Sequence, residues 1–379
     1  MGRKDQRGKM VIGALASLMI MGVAVVAGPL NPPAGPFTST YKTLTEVEPR
    51  IAINATNTPG DADSIFRITQ PGSYYLTGNI TGVSGRKGIE IVSDGVTIDL
   101  NGFALLGVPG SLDGIQAATQ VRSVSIRNGT VRGWGGHGID LFLNNTVGGS
   151  IEHVHAFGNL GSGIRSGSSM AVDHCTSTGN TVAGFTVAIT TVITNCTASS
   201  NGGSGFVLNG NNVATNCVAY LNSGAGFNAS SGSAISHSVA RNNRGNGFDL
   251  GTSCSIVHSN AVANELNGIR VASGCIVREN NCDSNGLGPS DGANILVTGL
   301  ENRIERNHCN IADRGIDVDS AANLIIGNTC RGNVINYDIV ANNRYGPILN
   351  IPASGTAAVS GSSAAGTLTT TDPHANFSM

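Results

Sequence analysis

Asn180-Thr181-Val182-Ala183-Gly184-Phe185-Thr186-Val187 is followed 21 residues later by Asn201-Gly202-Gly203-Ser204-Gly205-Phe206-Val207-Leu208, and again by Asn222-Ser223-Gly224-Ala225-Gly226-Phe227-Asn228-Ala229. The frame extends outward to Asn159, Asn243, Asn264 and Asn285, so seven asparagines stand at one constant interval. Self-similarity at a fixed period means one supersecondary unit stacked on copies of itself. A period of 21 residues is too short for a helix pair with its turns. It suits a coil of three short strands, wound repeatedly into a solenoid.

Composition agrees. The chain has 379 residues, 53 of them Gly, with only 12% charged and a single Trp, Trp134. Disorder carries more charge and fewer β-branched residues. A net charge of −2, with no basic cluster beyond the N-terminus, argues against nucleic acid as a partner.

The first 27 residues read as a secretory signal. Arg3, Lys4, Arg7 and Lys9 form a basic region, Met10 to Val26 is apolar, and Val25-Val26-Ala27 resembles a cleavage site. The mature chain is expected outside the cytoplasm, secreted, periplasmic or at the cell surface. A retained N-terminal segment is the alternative, and the only expected route to a membrane. Residues 28–40 form a Pro-rich linker, and residues 41–82 lack the repeat and are expected to cap the exposed strand edges at the solenoid's start. The β-helix is expected over 83–340. Residues 341–379 are expected to hold a C-terminal cap near Tyr345 to Ile351 and a flexible Gly/Ser/Ala/Thr tail.

Strand one opens at a Gly-Ile or Gly-Phe pair from Gly88-Ile89 to Gly268-Ile269, then at Gly292, Gly315-Ile316 and Asn336-Tyr337. A second strand follows around Val172, Ile193, Ala214, Ile235, Ile256, Val277, Ile304 and Ile325. Three residues on comes a polar file of Cys175, Cys196, Cys217, Ser238, Ser259, Asn280, Asn307 and Asn328. Stacked turns put amide over amide at about 4.8 Å, so each Asn can donate to and accept from its neighbours. The residue before this file is His153, His174, Asn195, Asn216, His237, His258 or Gly327. Those types tolerate positive φ, which predicts a left-handed corner. Repeated parallel crossovers predict a right-handed winding.

The pattern Gly-Ile-x-Val, Ile-x-x-Asn, Asn-x-x-x-Gly-Ile resembles the right-handed parallel β-helix repeat of pectate-lyase-like and NosD-like proteins. The opening Ser73-Tyr74-Tyr75-Leu76, Gly88-Ile89-Glu90-Ile91 and Gly95-Val96-Thr97-Ile98-Asp99-Leu100-Asn101-Gly102 resembles the first coils of the carbohydrate-binding and sugar-hydrolase module. The resemblance covers about residues 64–340 and implies an all-β, single-stranded parallel β-helix of about 11–12 coils. It also implies a substrate groove along the outward face of strand one. One scaffold hosts many chemistries, so function rests on the site.

Alternation places the residue after Gly-Ile on that outward face. The resulting row runs through Glu90, Gln116, Asp140, Arg165, Thr186, Val207, Asn228, Asp249, Arg270, Asn294, Asp317 and Asp338. Asp140, Arg165, Asn228, Asp249, Arg270 and Asn294 are the candidate contacts to extended polysaccharide. Asp317, Asp319 and Asp338 form the sharpest acidic cluster. Two carboxyls about 5–9.5 Å apart suit glycoside hydrolysis, and oxygen ligands also suit Ca²⁺. A solvated acidic edge is the plain reading of the same residues.

Gly136-His137-Gly138 matches a polygalacturonase tripeptide, but occupies a turn that elsewhere reads Gly161-Ser162-Gly163, and is taken as structural. Asp372-Pro373-His374 resembles an alginate epimerase motif, yet lies in the tail. The stacked pairs His153/His174 and His237/His258 lack a third ligand, so no metal centre is assigned to them. The eight cysteines fall in stacked files, which favours buried free thiols over disulfides. No organic cofactor is implied. The expected role is polysaccharide binding. A lyase or hydrolase using the Asp cluster, and a non-catalytic adhesive surface protein, are the alternatives.

Overall fold

The computed structural model describes residues 49–142, 146–287 and 292–348 and the strand Val359–Ser360. The expected signal and linker, the rest of the expected tail and Asp372-Pro373-His374 lie outside these residues. Among the described residues every regular element is a β-strand, and no helix is long and apolar enough to cross a membrane.

The strands form two parallel sheets of 14 and 24 strands. Strand one of each coil enters the smaller sheet, and strands two and three enter the larger. The coil centred on Phe206 shows the plan, with strands Phe206–Leu208, Val213–Thr215 and Val218–Tyr220. Each pairs in register with residues 21 positions away on either side.

The winding makes about 14 turns, more than the 11–12 expected. The added turns come from segments without the Gly-Ile frame. Ser64–Ile68 pairs with Lys87–Ile91, aligning Phe66 with Ile89, and Val359–Ser360 pairs with Tyr337 and Asp338. Gly72–Tyr75 pairs with Val96–Asp99. Residues expected to cap the stack therefore include strands that continue it.

The bore is filled by like over like. Phe185, Phe206, Phe227 and Phe248 stack with ring centroids 5.0, 4.6 and 4.9 Å apart and are fully buried. Burying each ring contributes about 1.5–3 kcal/mol. The glycine before each ring is a requirement of close approach. A Cβ on Gly205 would stand 2.7 Å from the Gly226 carbonyl oxygen and 2.8 Å from Asn222 Nδ2.

Three corners per coil carry a left-handed residue. The corner before the Cys175 file has φ near 50° at His153, His174, Asn195, Asn216, His237 and His258, as the residue types predict. Glu279 and Arg306 adopt the same conformation without being favoured types. The residue after each corner turns its N–H along the axis toward a side chain of the next coil. Asn201 N and Nδ2 both donate to Asn222 Oδ1, at 3.1 and 2.9 Å. Two of these internal ladders are visible in the sequence. The third, Thr191, Asn212, Ser233, Cys254, Cys275, Asn302, Asn323 and Asn343, becomes evident once the corners are placed.

Cysteine substitutes for the amide. Cys175 N donates to Cys196 Sγ, and Cys175 Sγ donates to the Ile151 carbonyl. All eight thiols are free, seven of them buried.

Candidate functional site

Strand register sets a continuous outward row on the 14-stranded sheet. Glu90, Gln116, Asp140, Arg165, Thr186, Val207, Asn228, Asp249 and Arg270 lie side by side as alternation predicts. The next member is Leu296, not Asn294, and Asp317 and Asp338 follow it. Asn294 must be withdrawn from the groove. It is fully buried, accepting from Asn285 Nδ2 at 2.9 Å and donating to the Asn310 carbonyl and Asn333 Oδ1. The physical reason is a two-residue offset. Gly292 precedes the position that glycine holds in other coils, so Asn294 falls at the inward-turning place and serves the internal ladder.

The most constrained part of the row lies around Asp140. Arg165 Nη1 donates to Asp140 Oδ2 at 3.0 Å, and the guanidinium lies 4.7 Å above the Phe142 ring. Beside this row runs a second file, one residue before the glycine of each coil: Asp113, His137 and Ser162. Asp113 accepts from the His137 backbone N–H through Oδ1 and from Gln116 Nε2 through Oδ2. His137 Nδ1 accepts from the Ser162 N–H at 2.8 Å. Here each N–H reaches back to the preceding coil, opposite in sense to the internal ladders.

That bond decides the imidazole's chemistry. With Nδ1 accepting, neutral His137 carries its proton on Nε2. Nε2 stands 3.0 Å from Arg165 Nη1, so two donors face one another. Burial, and then the neighbouring guanidinium, push His137 below its ordinary value, keeping it neutral. Burial pushes the Asp113 carboxyl up despite its two hydrogen bonds.

The sequence singled out Asp140 and Arg165 but treated His137 as a turn residue and passed over Asp113. Aligning the coils on their glycines would have found both, since Asp113-Gly114, His137-Gly138 and Ser162-Gly163 occupy one file.

Elsewhere the row is more open. Arg270 Nη1 meets Asp249 Oδ1 at 2.8 Å, with the side chains 40% and 29% exposed, an ordinary cross-strand surface pair. Asn228 is exposed on the same face. Asp317 and Asp338 are register partners, but Arg314 Nε lies 3.6 and 3.0 Å from their Oδ2 atoms. Asp319 follows the strand and is exposed. The three carboxylates thus do not crowd together unpaired. A Ca²⁺ ion between Asp317 and Asp338 would compete with a guanidinium already held there.

Among the described residues, three potential ligands converge within 4.8 Å at Asp61, Asp63 and Glu90. Lys87 Nζ lies 3.0 Å from Asp63 Oδ2 and also pairs with Glu90, and Arg67 Nε lies 2.8 Å from Glu90 Oε2. Lys87 and Arg67 between them already pair with all three carboxylates.

Known proteins with partial similarity to this chain include tailspikes, a mannuronan epimerase module and a pectate lyase. The structure resembles the Dettilon tailspike protein gp208 at 18% identity, covering 75% of this chain and 60% of the tailspike, with a TM-score of 0.49. It resembles the A-module of Azotobacter vinelandii mannuronan C-5 epimerase AlgE4 at 18% identity, covering 78% of this chain and 87% of the module, with a TM-score of 0.47. Pectate lyase Pel9A is similar at 17% identity, over 69% of this chain and 71% of the lyase, with a TM-score of 0.41. The chain thus spans less than two thirds of the tailspike's length. A sequence comparison with curated proteins gives no match. Residues 113–264 match the family model for the right-handed beta helix region, and the fold they belong to is a right-handed parallel β-helix.

Proposed function

We propose that the outward face of strand one binds an extended polysaccharide, with the Asp113–His137–Asp140–Arg165 cluster as its anchor. One observation carries this reading: with Nδ1 engaged by the Ser162 N–H, His137 Nε2 stands 3.0 Å from Arg165 Nη1, which is itself held by Asp140, so two donor nitrogens are brought together on the outward row. A saccharide oxygen lying to the side of the pair accepts from both. Asn228, Asp249 and Arg270 extend the polar row three to five coils further on, a length that suits a linear polymer better than a compact ligand. The likeness to tailspikes, a pectate lyase and an alginate epimerase supports the same class of ligand.

The test is His137→Asn. An Asn carbonyl can still accept from the Ser162 N–H, so the turn is retained while the Nε2–H donor is lost. Binding to a panel of neutral and acidic polysaccharides should weaken by about tenfold, the cost of one hydrogen bond to a charged or oriented partner. Unchanged affinity, or no binding by the unaltered protein to any member of the panel, removes the anchor.

Asp113 also favours a second reading, cleavage of the bound polymer. A carboxyl pushed up by burial beside an arginine-paired carboxylate is the unequal pair that acid–base chemistry uses. Release of reducing ends or of unsaturated products, abolished by Asp113→Asn but retained when Asp317, Asp319 and Asp338 are all replaced, would establish cleavage at this cluster. No product from any polysaccharide of the panel would leave binding alone.

A further inference from the structure

A second polar groove lies on the other sheet, where the regular coil pattern breaks. Through most of the solenoid the first residue of strand three is Thr or Val: Thr197, Val218 and Val239 are register neighbours. The row then changes to Asn260, Asn281 and His308, before returning to Thr329. All three are exposed, and among the described residues none of their side chains has a hydrogen-bond partner.

Alongside runs the left-handed corner. His258 keeps the residue type the corner prefers, but Glu279 and Arg306 hold φ of 55° and 52°. Such a conformation costs about 1 kcal/mol or more for a residue of this kind. Although left-handed corners elsewhere accept Thr190, Leu221 and Ile311 as well, two adjacent files thus change residue type at the same coils. The depression between them has a volume of about 370 Å³, within the range of about 300–1,000 Å³ for ligand sites.

We infer that this groove is a separate binding site for a short neutral saccharide, lying across Asn260, Asn281 and His308. The charges beside it are already matched. Glu279 bonds His258 Nε2 at 2.5 Å and lies 3.6 Å from Arg306 Nη1, while Arg306 also lies 3.5 Å from Glu305. What remains unpartnered is two amides and an imidazole, each able both to donate and to accept. Paired hydroxyls on a sugar ring make the complementary set. An ion finds no such match, because the three-ligand convergence among the described residues lies elsewhere, at Asp61, Asp63 and Glu90. The row rises about 10 Å over three coils at the inter-strand spacing, the reach of a short oligosaccharide.

The experiment uses the full chain on an array of neutral hexose and N-acetylhexosamine oligosaccharides, followed by calorimetric titration of the best binder. Asn281→Ala and His308→Ala should each weaken binding about tenfold or more, with thermal midpoints unchanged because both side chains are exposed. His137→Asn, on the other sheet, should leave this binding intact, so failure here is separable from failure of the first-strand site. The inference is overturned if no array member binds, if both variants bind normally, if His137→Asn abolishes binding, or if EDTA abolishes it.

Discussion

Asp140 and Arg165, one coil apart, form a 3.0 Å ion pair in which the carboxylate side chain retains only 2% exposure and the guanidinium 18%. Asp249 and Arg270 repeat the same stacking with far more solvent around them. Removing the cation leaves a buried charge in the first case and a solvated one in the second. Arg165→Leu should therefore destabilise by about 3 kcal/mol, and Arg270→Leu by less than about 1 kcal/mol. Urea midpoints of the two variants check the contrast.

His137 should make stability depend on pH. Its folded value is depressed by burial and by Arg165, so the unfolded chain takes up a proton near pH 6.5 that the folded site refuses. Stability then falls as pH drops below about 6.5 toward the folded value. Asp113 acts in the opposite sense, since burial raises its folded value and acid relieves that charge. Burial also depresses His155, which contributes a parallel slope. Thermal midpoints between pH 7 and 5 should fall less steeply in His137→Asn than in the unaltered chain.

The internal amide file should be intolerant of gaps. Asn222 accepts two bonds from Asn201 and donates to the Ala198 carbonyl and Asn243 Oδ1. Asn222→Ala orphans several fully buried groups at once, at about 1–3 kcal/mol for each unsatisfied one. A loss of about 3 kcal/mol or more in denaturant unfolding is expected, without local compensation from solvent.

One ladder can be improved. Asn212 Nδ2 is buried without a partner, because the next coil offers only the short Ser233. Further along the same file Asn302 donates to Asn323 Oδ1 at 2.9 Å. Ser233→Asn should supply the missing acceptor and raise stability by about 1 kcal/mol, read as a higher urea midpoint.

The thiols should be silent in the folded protein. Burial pushes Cys196 and Cys309 up, whereas hydrogen bonding within the files pulls Cys217 down and Cys254 down to about 7, so for those two it is burial that keeps reagents away. Reaction with a thiol reagent should be slow under native conditions and reach eight equivalents only after unfolding. Cys330, the least buried, should react first.

The constant interval of Asn159 to Asn285 made the coil legible, because identical turns must carry identical residues. The alternation after Gly-Ile put Asp140, Arg165, Asn228, Asp249 and Arg270 in one register row, which the strand pairing reproduces. It failed at Asn294, where an irregular spacing shifted the frame by two residues and sent the amide inward. The alternating runs from Ser64 and from Ser73 were legible as strands, but they were assigned to a cap and not to the stack because they lack the glycine that opens the later coils.

Periodicity by itself determined the winding, the stacked core and the polar files, since these depend only on which residue recurs at which step. Tertiary structure decided the chemistry. The tautomer of His137 follows from a backbone N–H contributed by the next coil, and the opposed donors from an arginine 28 residues away. The pairing of Arg314 with Asp317 and Asp338 likewise depends on side-chain direction across coils. A repeat states what lies above what, whereas a site depends on where side chains from different coils meet and how much water is left between them.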